Sequence, residues 1–117
     1  MSQADFKETI SRYGDLTESV EIFSYDAEEG ISQLRARLRL FDGAILWIRE
    51  VRTEGVLEAY SYYWLRPDDT VIMGWDNAPH HSEISTFPHH RHVGDSIEAS
   101  AERTLGDVLD FIREFMG

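Results

Sequence analysis

The 117-residue sequence predicts an α+β fold in which an antiparallel meander of about five strands carries an N-terminal and a C-terminal helix packed on one face. Three observations support this. Residues 31–41 alternate apolar and charged side chains with a period of two, ending at an Asp42-Gly43 turn. Residues 4–13 and 104–116 repeat apolar residues at helical spacing instead. Between the last predicted strand and the last helix lies a long segment broken by Pro79, Pro88 and Gly94, and it carries all five histidines of the chain.

At the N-terminus, Phe6, Ile10 and Tyr13 fall on one face of a short amphipathic helix that Gly14 can end. The period then changes to two over residues 20–26. Val20, Ile22 and Ser24 are expected on one side, Glu21, Phe23 and Tyr25 on the other, with a turn over residues 26–30.

In the strand over 31–41, Leu34, Ala36, Leu38 and Leu40 point to the core, and Gln33, Arg35, Arg37 and Arg39 point away. Asp42-Gly43 is the pair favoured in a two-residue type I′ turn. That turn would set Leu40 opposite Ile45, Leu38 opposite Trp47 and Leu34 opposite Val51 on the core side. Arg35 would then face Glu50, and Arg37 would face Ile48, on the outer side.

Residues 57–66 make a fourth strand, with Tyr60, Tyr62 and Trp64 on one face and Ser61 and Tyr63 on the other. The turn over residues 53–55 can hold two or three residues, and one residue exchanges those faces. Pro67-Asp68-Asp69 turns the chain into a fifth strand over 71–75. Residues 76–99 read as irregular. Thr104 with Asp107 forms a capping-box variant that starts a helix striped by Leu105, Val108, Leu109, Ile112, Phe115 and Met116. The chain shows no linker or low-complexity run, so residues 1–117 read as a single domain.

Composition bounds the function. A content of 42% apolar and 12% aromatic residues supports a packed core, and no apolar run approaches the ~20 residues of a membrane span. The start of the chain lacks a signal-peptide layout, and with no cysteine there is no thiolate metal site; a cytoplasmic location is the default expectation. A net charge of −11 repels phosphate over most of the surface. The exception is residues 30–52, where Arg35, Arg37, Arg39, Arg49 and Arg52 outnumber Asp42 and Glu50. Any nucleic-acid contact would use this stripe and the histidine loop; the stripe reads otherwise as a solvated strand face. The Tyr60–Trp64 run reads as cross-strand packing ahead of a base-stacking platform.

His80, His81, His89, His90 and His92 mark the candidate site. Pro79-His80-His81 is echoed nine residues later by Pro88-His89-His90, and two prolines can hold a long loop in one shape. Three readings stay open. Two or three rings, with His80, His89 and His92 as the candidate set, could bind a divalent ion such as zinc, with Asp76, Glu83 or Asp95 as carboxylate partner. Two rings could instead act as acid and base on a phosphodiester, with Arg91 steadying the phosphate. Or the rings could cap turns and stack on Trp75 or Phe87. Adjacent rings such as His80 and His81 diverge in extended backbone, so at most three should share one centre.

The segments Tyr60 to Trp64, Trp75-Asp76-Asn77-Ala78-Pro79-His80-His81 and Thr86-Phe87-Pro88-His89-His90-Arg91-His92 resemble the TumE-like toxin family of small prokaryotic toxin–antitoxin proteins. Thr104 to Phe115 resembles that family's closing helix. The resemblance covers about half the chain closely. It implies a toxin with a cognate antitoxin protein as partner; a small nuclease acting through the histidine segment is the candidate activity. Asp76, Asn77, His80, His81, His89, His90 and His92 match its motifs, while Arg91 stands where lysine and other residues also occur. The expected catalytic group is Asp76 with the five histidines, and the expected substrate-binding group is Asn77, Arg91, Arg37 and Arg39. RNA is the candidate substrate and a second copy of the chain a candidate partner. The alternative is a non-enzymatic module that binds metal or protein through the histidine segment.

Overall fold

The computed structural model describes residues 3–116. A helix α1 (Gln3–Ser11) leads into seven strands, β1 (Thr17–Glu28), β2 (Ile31–Leu40), β3 (Ile45–Thr53), β4 (Val56–Leu65), β5 (Val71–Asp76), β6 (His90–Val93) and β7 (Ser96–Ala99), and a helix α2 (Leu105–Met116) closes the chain. All seven strands form one antiparallel sheet in sequential order. The α+β class stands. The strand count rises because residues 90–99, expected to be irregular, form a hairpin that turns at Gly94 with φ +59°.

Both helices cover the same face. Phe6, Ile10 and Tyr13 of the N-terminal segment and Leu105, Val108, Leu109 and Ile112 of α2 form one core with Leu34, Ala36, Leu38, Leu40, Leu46, Ile48, Tyr60, Tyr62 and Trp64. The expected box starts α2: Thr104 N–H donates to Asp107 Oδ2 at 2.9 Å, and Asp107 N–H returns to Thr104 Oγ1 at 3.2 Å. Phe115, expected in the same stripe, is 68% exposed and meets the edge of Trp64. The Tyr13 hydroxyl donates to Asp110 at 2.7 Å, and Arg113 bonds Asp15, tying the two ends of the chain together. No described helix is long and apolar enough to cross a membrane.

The register of the β2–β3 hairpin differs from the expectation by one residue. Leu40 N–H donates to Ala44 O at 2.9 Å and Gly43 N–H to Leu40 O at 3.0 Å, so the loop holds three residues, Phe41, Asp42 and Gly43. Gly43 takes φ +89°, but Asp42 is not left-handed and its carboxylate accepts from Ala44 N–H. A three-residue loop with one left-handed glycine is the next option after the two-residue turn. The shift exchanges the faces of β3. Leu46, Ile48 and Glu50 turn to the core, while Trp47, Arg49 and Val51 turn outward, and Arg35 meets Arg49 instead of Glu50.

Strand β1 departs as well. Register shifts lie between Thr17 and Ser19 and between Ile22 and Ser24, so Val20 and Ile22 share the helix side while Ser24 pairs with Arg35 on the other. The strand runs on to Glu28, and Glu29 and Gly30, both at positive φ, make a two-residue turn. Glu54 and Gly55 repeat that geometry before β4, and an irregularity beside Val51 sets the faces that the sequence left open. Tyr60, Tyr62 and Trp64 point to the core, Ser61 and Tyr63 to the open face.

Candidate functional site

Two neighbouring rows of residues cross the open face of the sheet, the face without helices. One runs Ser24, Arg35, Arg49, Ser61, Asp76, His90; the next runs Glu21, Arg37, Trp47, Tyr63, Gly74, His92. Facing residues of antiparallel strands project to the same side. The sheet therefore carries arginines at one end of this surface and a carboxylate with histidines at the other.

At the histidine end, β5 stops at Asp76 and the segment 77–89 folds over the open face as consecutive turns, closed by Ile84 N–H to His81 O, Phe87 N–H to Ile84 O and His89 N–H to Thr86 O. This returns His81 to the sheet, with its ring 5.0 Å from that of His90 and 6.0 Å from that of His92. The ligand nitrogens of His81, His90 and His92 lie within 4.8 Å of one another, so these three residues could hold a metal ion. Asp76 faces two of them, with Oδ1 3.0 Å from His90 Nε2 and Oδ2 3.3 Å from His92 Nε2. The two Nε2 atoms are 3.1 Å apart.

The hydrogen bonds around this group fix its chemistry. His90 Nδ1 lies 2.9 Å from Pro88 O, and a carbonyl only accepts, so Nδ1 carries a proton. In the neutral ring the Nε2 lone pair then points into Asp76 and His92. The Nε2–H tautomer of His92 can donate to that lone pair, and a bound cation could equally stand between these atoms. Asp76 is 7% exposed and further held by the Tyr63 hydroxyl at 2.8 Å and by Ala78 N–H at 3.0 Å. Burial, and then the hydrogen bond to Asp76, raise the Tyr63 hydroxyl well above tyrosine's ordinary pKa, keeping it a donor.

Of the candidate residues, Asp76, His81, His90 and His92 come together. Of the expected metal set, only His92 lies in the cluster. His80 is exposed at a turn. His89 points away from His90, to the helix side. There it stacks on Tyr60, its Nδ1 is 2.9 Å from the Tyr60 hydroxyl, and its Nε2 is 3.8 Å from Glu102. Thus each Pro-His-His step sends one ring to the centre and one elsewhere, as diverging neighbours require. Asn77 bridges the end of the ladder: its amide donates to Glu58 O at 2.9 Å and accepts from Tyr60 N–H at 3.0 Å. Arg91 lies on the face opposite His90 and His92 and is engaged by Glu98 at 2.8 Å. Arg37 bonds Glu21 at 3.1 Å and lies over the rings of Phe23 and Trp47. Arg39 is exposed one row further along, opposite Ile45.

Tyr63 was not anticipated for the site, and Arg49 and Arg35 were expected only as part of the basic stripe over residues 30–52. A cleft of about 560 Å³ joins Asp76, Tyr63, Ser61 and Arg49. A second cleft of about 600 Å³ adjoins it through Arg49 and Ser61 and reaches Arg35, Trp47 and Phe23. Only the β2–β3 register brings Arg49 to this face.

Residues 7–116 match the family model described as Toxin TumE. No curated protein and no solved structure matches the chain significantly.

Proposed function

We infer the function from one premise: the chain belongs to the TumE toxin family. Membership implies a toxin component with an antitoxin as its general partner. We propose that the toxin is a small ribonuclease working in the cytoplasm, and that it cuts phosphodiester bonds at a centre formed by Asp76, His81, His90 and His92.

One observation supports this above the others. His90 Nε2, with its other nitrogen committed to Pro88 O, stands 3.0 Å from a buried carboxylate and 3.1 Å from a second imidazole nitrogen. Such a cluster attracts a cation. Three imidazole nitrogens beside one carboxylate suit a zinc-type ion. When bound, the ion would supply an activated water near neutral pH and positive charge for a phosphate oxygen. The residues of the chain do the rest. His81, His90 and His92 supply the nitrogens, and the Pro88 carbonyl fixes the tautomer of His90. Asp76, held by Tyr63 and Ala78, balances the charge and can accept a proton from the attacking water. Arg49 lines the cleft that leads to Asp76 and can meet a phosphate of the bound strand.

The test is expression of the wild-type chain and of His92→Ala, with and without the neighbouring antitoxin gene. Wild type is expected to arrest growth and degrade RNA, relieved by the antitoxin, and His92→Ala to do neither while melting at an unchanged temperature. Wild-type expression that leaves growth and RNA intact would overturn the reading. Elemental analysis of protein purified without a histidine tag reads the ion. RNA cutting that persists in chelator would remove the ion and leave acid–base chemistry by the rings.

A further inference from the structure

Arg35 and Arg49 are Cα partners on adjacent antiparallel strands, both exposed on the open face. Like charges placed directly opposite one another destabilise a strand pair. Among the described residues neither arginine has a carboxylate in salt-bridge range, although the chain carries 22 acidic residues against 11 basic ones. Beside them, Phe23 and Trp47 stack at 5.5 Å with their planes 18° apart, half-exposed to solvent. Arg37, bonded to Glu21, packs against both rings and holds the pair in place. The cleft of about 600 Å³ is walled by the aromatic pair on one side and by the two arginines on the other, within the range of small-ligand sites.

We propose that this cleft is a nucleotide subsite for single-stranded nucleic acid, in which a base stacks on Phe23 and Trp47 and the adjoining phosphate bridges Arg35 and Arg49. An anion between the two guanidiniums removes their repulsion and forms charge-assisted hydrogen bonds with both. An aromatic face beside a cationic groove is the arrangement that binds single strands, because stacking needs a base face that a duplex keeps covered. The subsite extends the ribonuclease reading, from which it takes the direction of the strand. Arg49 and Ser61 belong to both clefts, and Asp76 lies two strands beyond Arg49, about 10 Å away. A strand anchored at Trp47 would run along the residue row toward Asp76 and His90. Arg37 acts as a positioning residue, not as a phosphate ligand.

The test is fluorescence anisotropy of a labelled single-stranded oligouridine, titrated in chelator at several salt concentrations. Arg35→Gln/Arg49→Gln is expected to weaken binding at least tenfold and to lower the salt slope by about 0.7, the value for one neutralised phosphate on a single strand. Trp47→Ala is expected to weaken binding about tenfold with the slope unchanged, since stacking releases no counterions. A hairpin duplex of equal length should bind more weakly than the single strand. Unchanged affinity and slope in the folded double arginine variant would overturn the subsite, whatever the protein does to RNA. Conversely, wild-type protein that binds through Arg35 and Arg49 yet cuts no RNA under any condition would remove the nuclease reading and leave the subsite standing.

Discussion

Tyr63 reaches Asp76 across Gly74. The tyrosine lies on β4 opposite Gly74 of β5, and its hydroxyl donates a 2.8 Å hydrogen bond to Asp76 Oδ2. A β-carbon built on Gly74 would collide with Tyr63 Cε1 and Cδ1, so the ring lies where any other side chain would stand. The absence of a side chain at one position thus aims the phenol that holds the carboxylate beside His90 and His92.

Removing that phenol tests its role. Tyr63→Phe keeps the ring but takes one donor from a buried carboxylate, which costs about 1 kcal/mol of stability or somewhat more. Partners that hold a ligand group change metal affinity about 10- to 100-fold when lost. Zinc affinity in Tyr63→Phe is therefore expected to fall within that range. Gly74→Ala should match it by displacing the ring. Zinc titration of both variants, with melting temperatures alongside, reads the result; affinities equal to wild type would show that Tyr63 does not orient Asp76.

Asn77 gives a second prediction. It was expected to bind substrate, but both ends of its amide are occupied, by Glu58 O and Tyr60 N–H. Asn77→Ala removes the partner of the part-buried Tyr60 N–H and of the exposed Glu58 carbonyl where the β4–β5 ladder ends, a cost of about 1 kcal/mol. Asn77→Asp keeps the acceptor but sets a carboxylate against the Glu58 carbonyl, so it should rescue little. Denaturant midpoints measure this. If Asn77→Ala were as stable as wild type yet weak in RNA binding, the amide would be a substrate contact after all.

Residues with strong local patterns were legible in the sequence. The alternation of Leu34 to Leu40, the Leu105, Val108, Leu109 and Ile112 part of the α2 stripe and the Thr104–Asp107 box appear as expected, because each depends on neighbours in the chain. The facing of β3 was not legible. It turns on whether the loop before it holds two residues or three, and Asp42-Gly43 is compatible with both once Phe41 enters the loop. That single residue decides whether Glu50 or Arg49 reaches the open face. The five histidines marked the right segment, but their sorting depended on β6, which puts His90 and His92 on one side and Arg91 on the other. Arg35 and Arg49 could be recognised as a pair only after the register was known.

The same register buries Glu50, and that leads to a stability prediction. Glu50 is 2% exposed in the core; its Oε2 accepts the Tyr62 hydroxyl at 2.5 Å, and its Oε1 meets Arg52 Nη2 at 3.6 Å. Glu50→Ala removes the acceptor of a buried phenol and the counter-ion of a mostly buried guanidinium. Breaking a buried pair from one side costs about 3–5 kcal/mol. Chemical denaturation should show a loss of that order, with Glu50→Gln losing less because its amide oxygen still accepts from Tyr62. An unchanged midpoint for Glu50→Ala would mean that the pair contributes nothing to the fold.

Buried tyrosines set an alkaline limit. Burial, and then the charge of Glu50, push the Tyr62 hydroxyl far above tyrosine's ordinary range. Burial likewise pushes Tyr60 up to about 12, against the lowering effect of the Arg103 backbone N–H. The unfolded chain releases these protons near pH 10, whereas the folded chain still holds them. Their contribution is therefore complete below about pH 10 and is lost as pH rises through the folded values, for Tyr60 between about 10 and about 12. Melting temperature should stay level from neutral pH to about pH 9 and fall steeply beyond about pH 10, with tyrosinate absorbance rising together with unfolding. Tyrosinate signal from all five tyrosines at about pH 10, in protein that stays folded, would show that Tyr60 and Tyr62 are not held in the core as described.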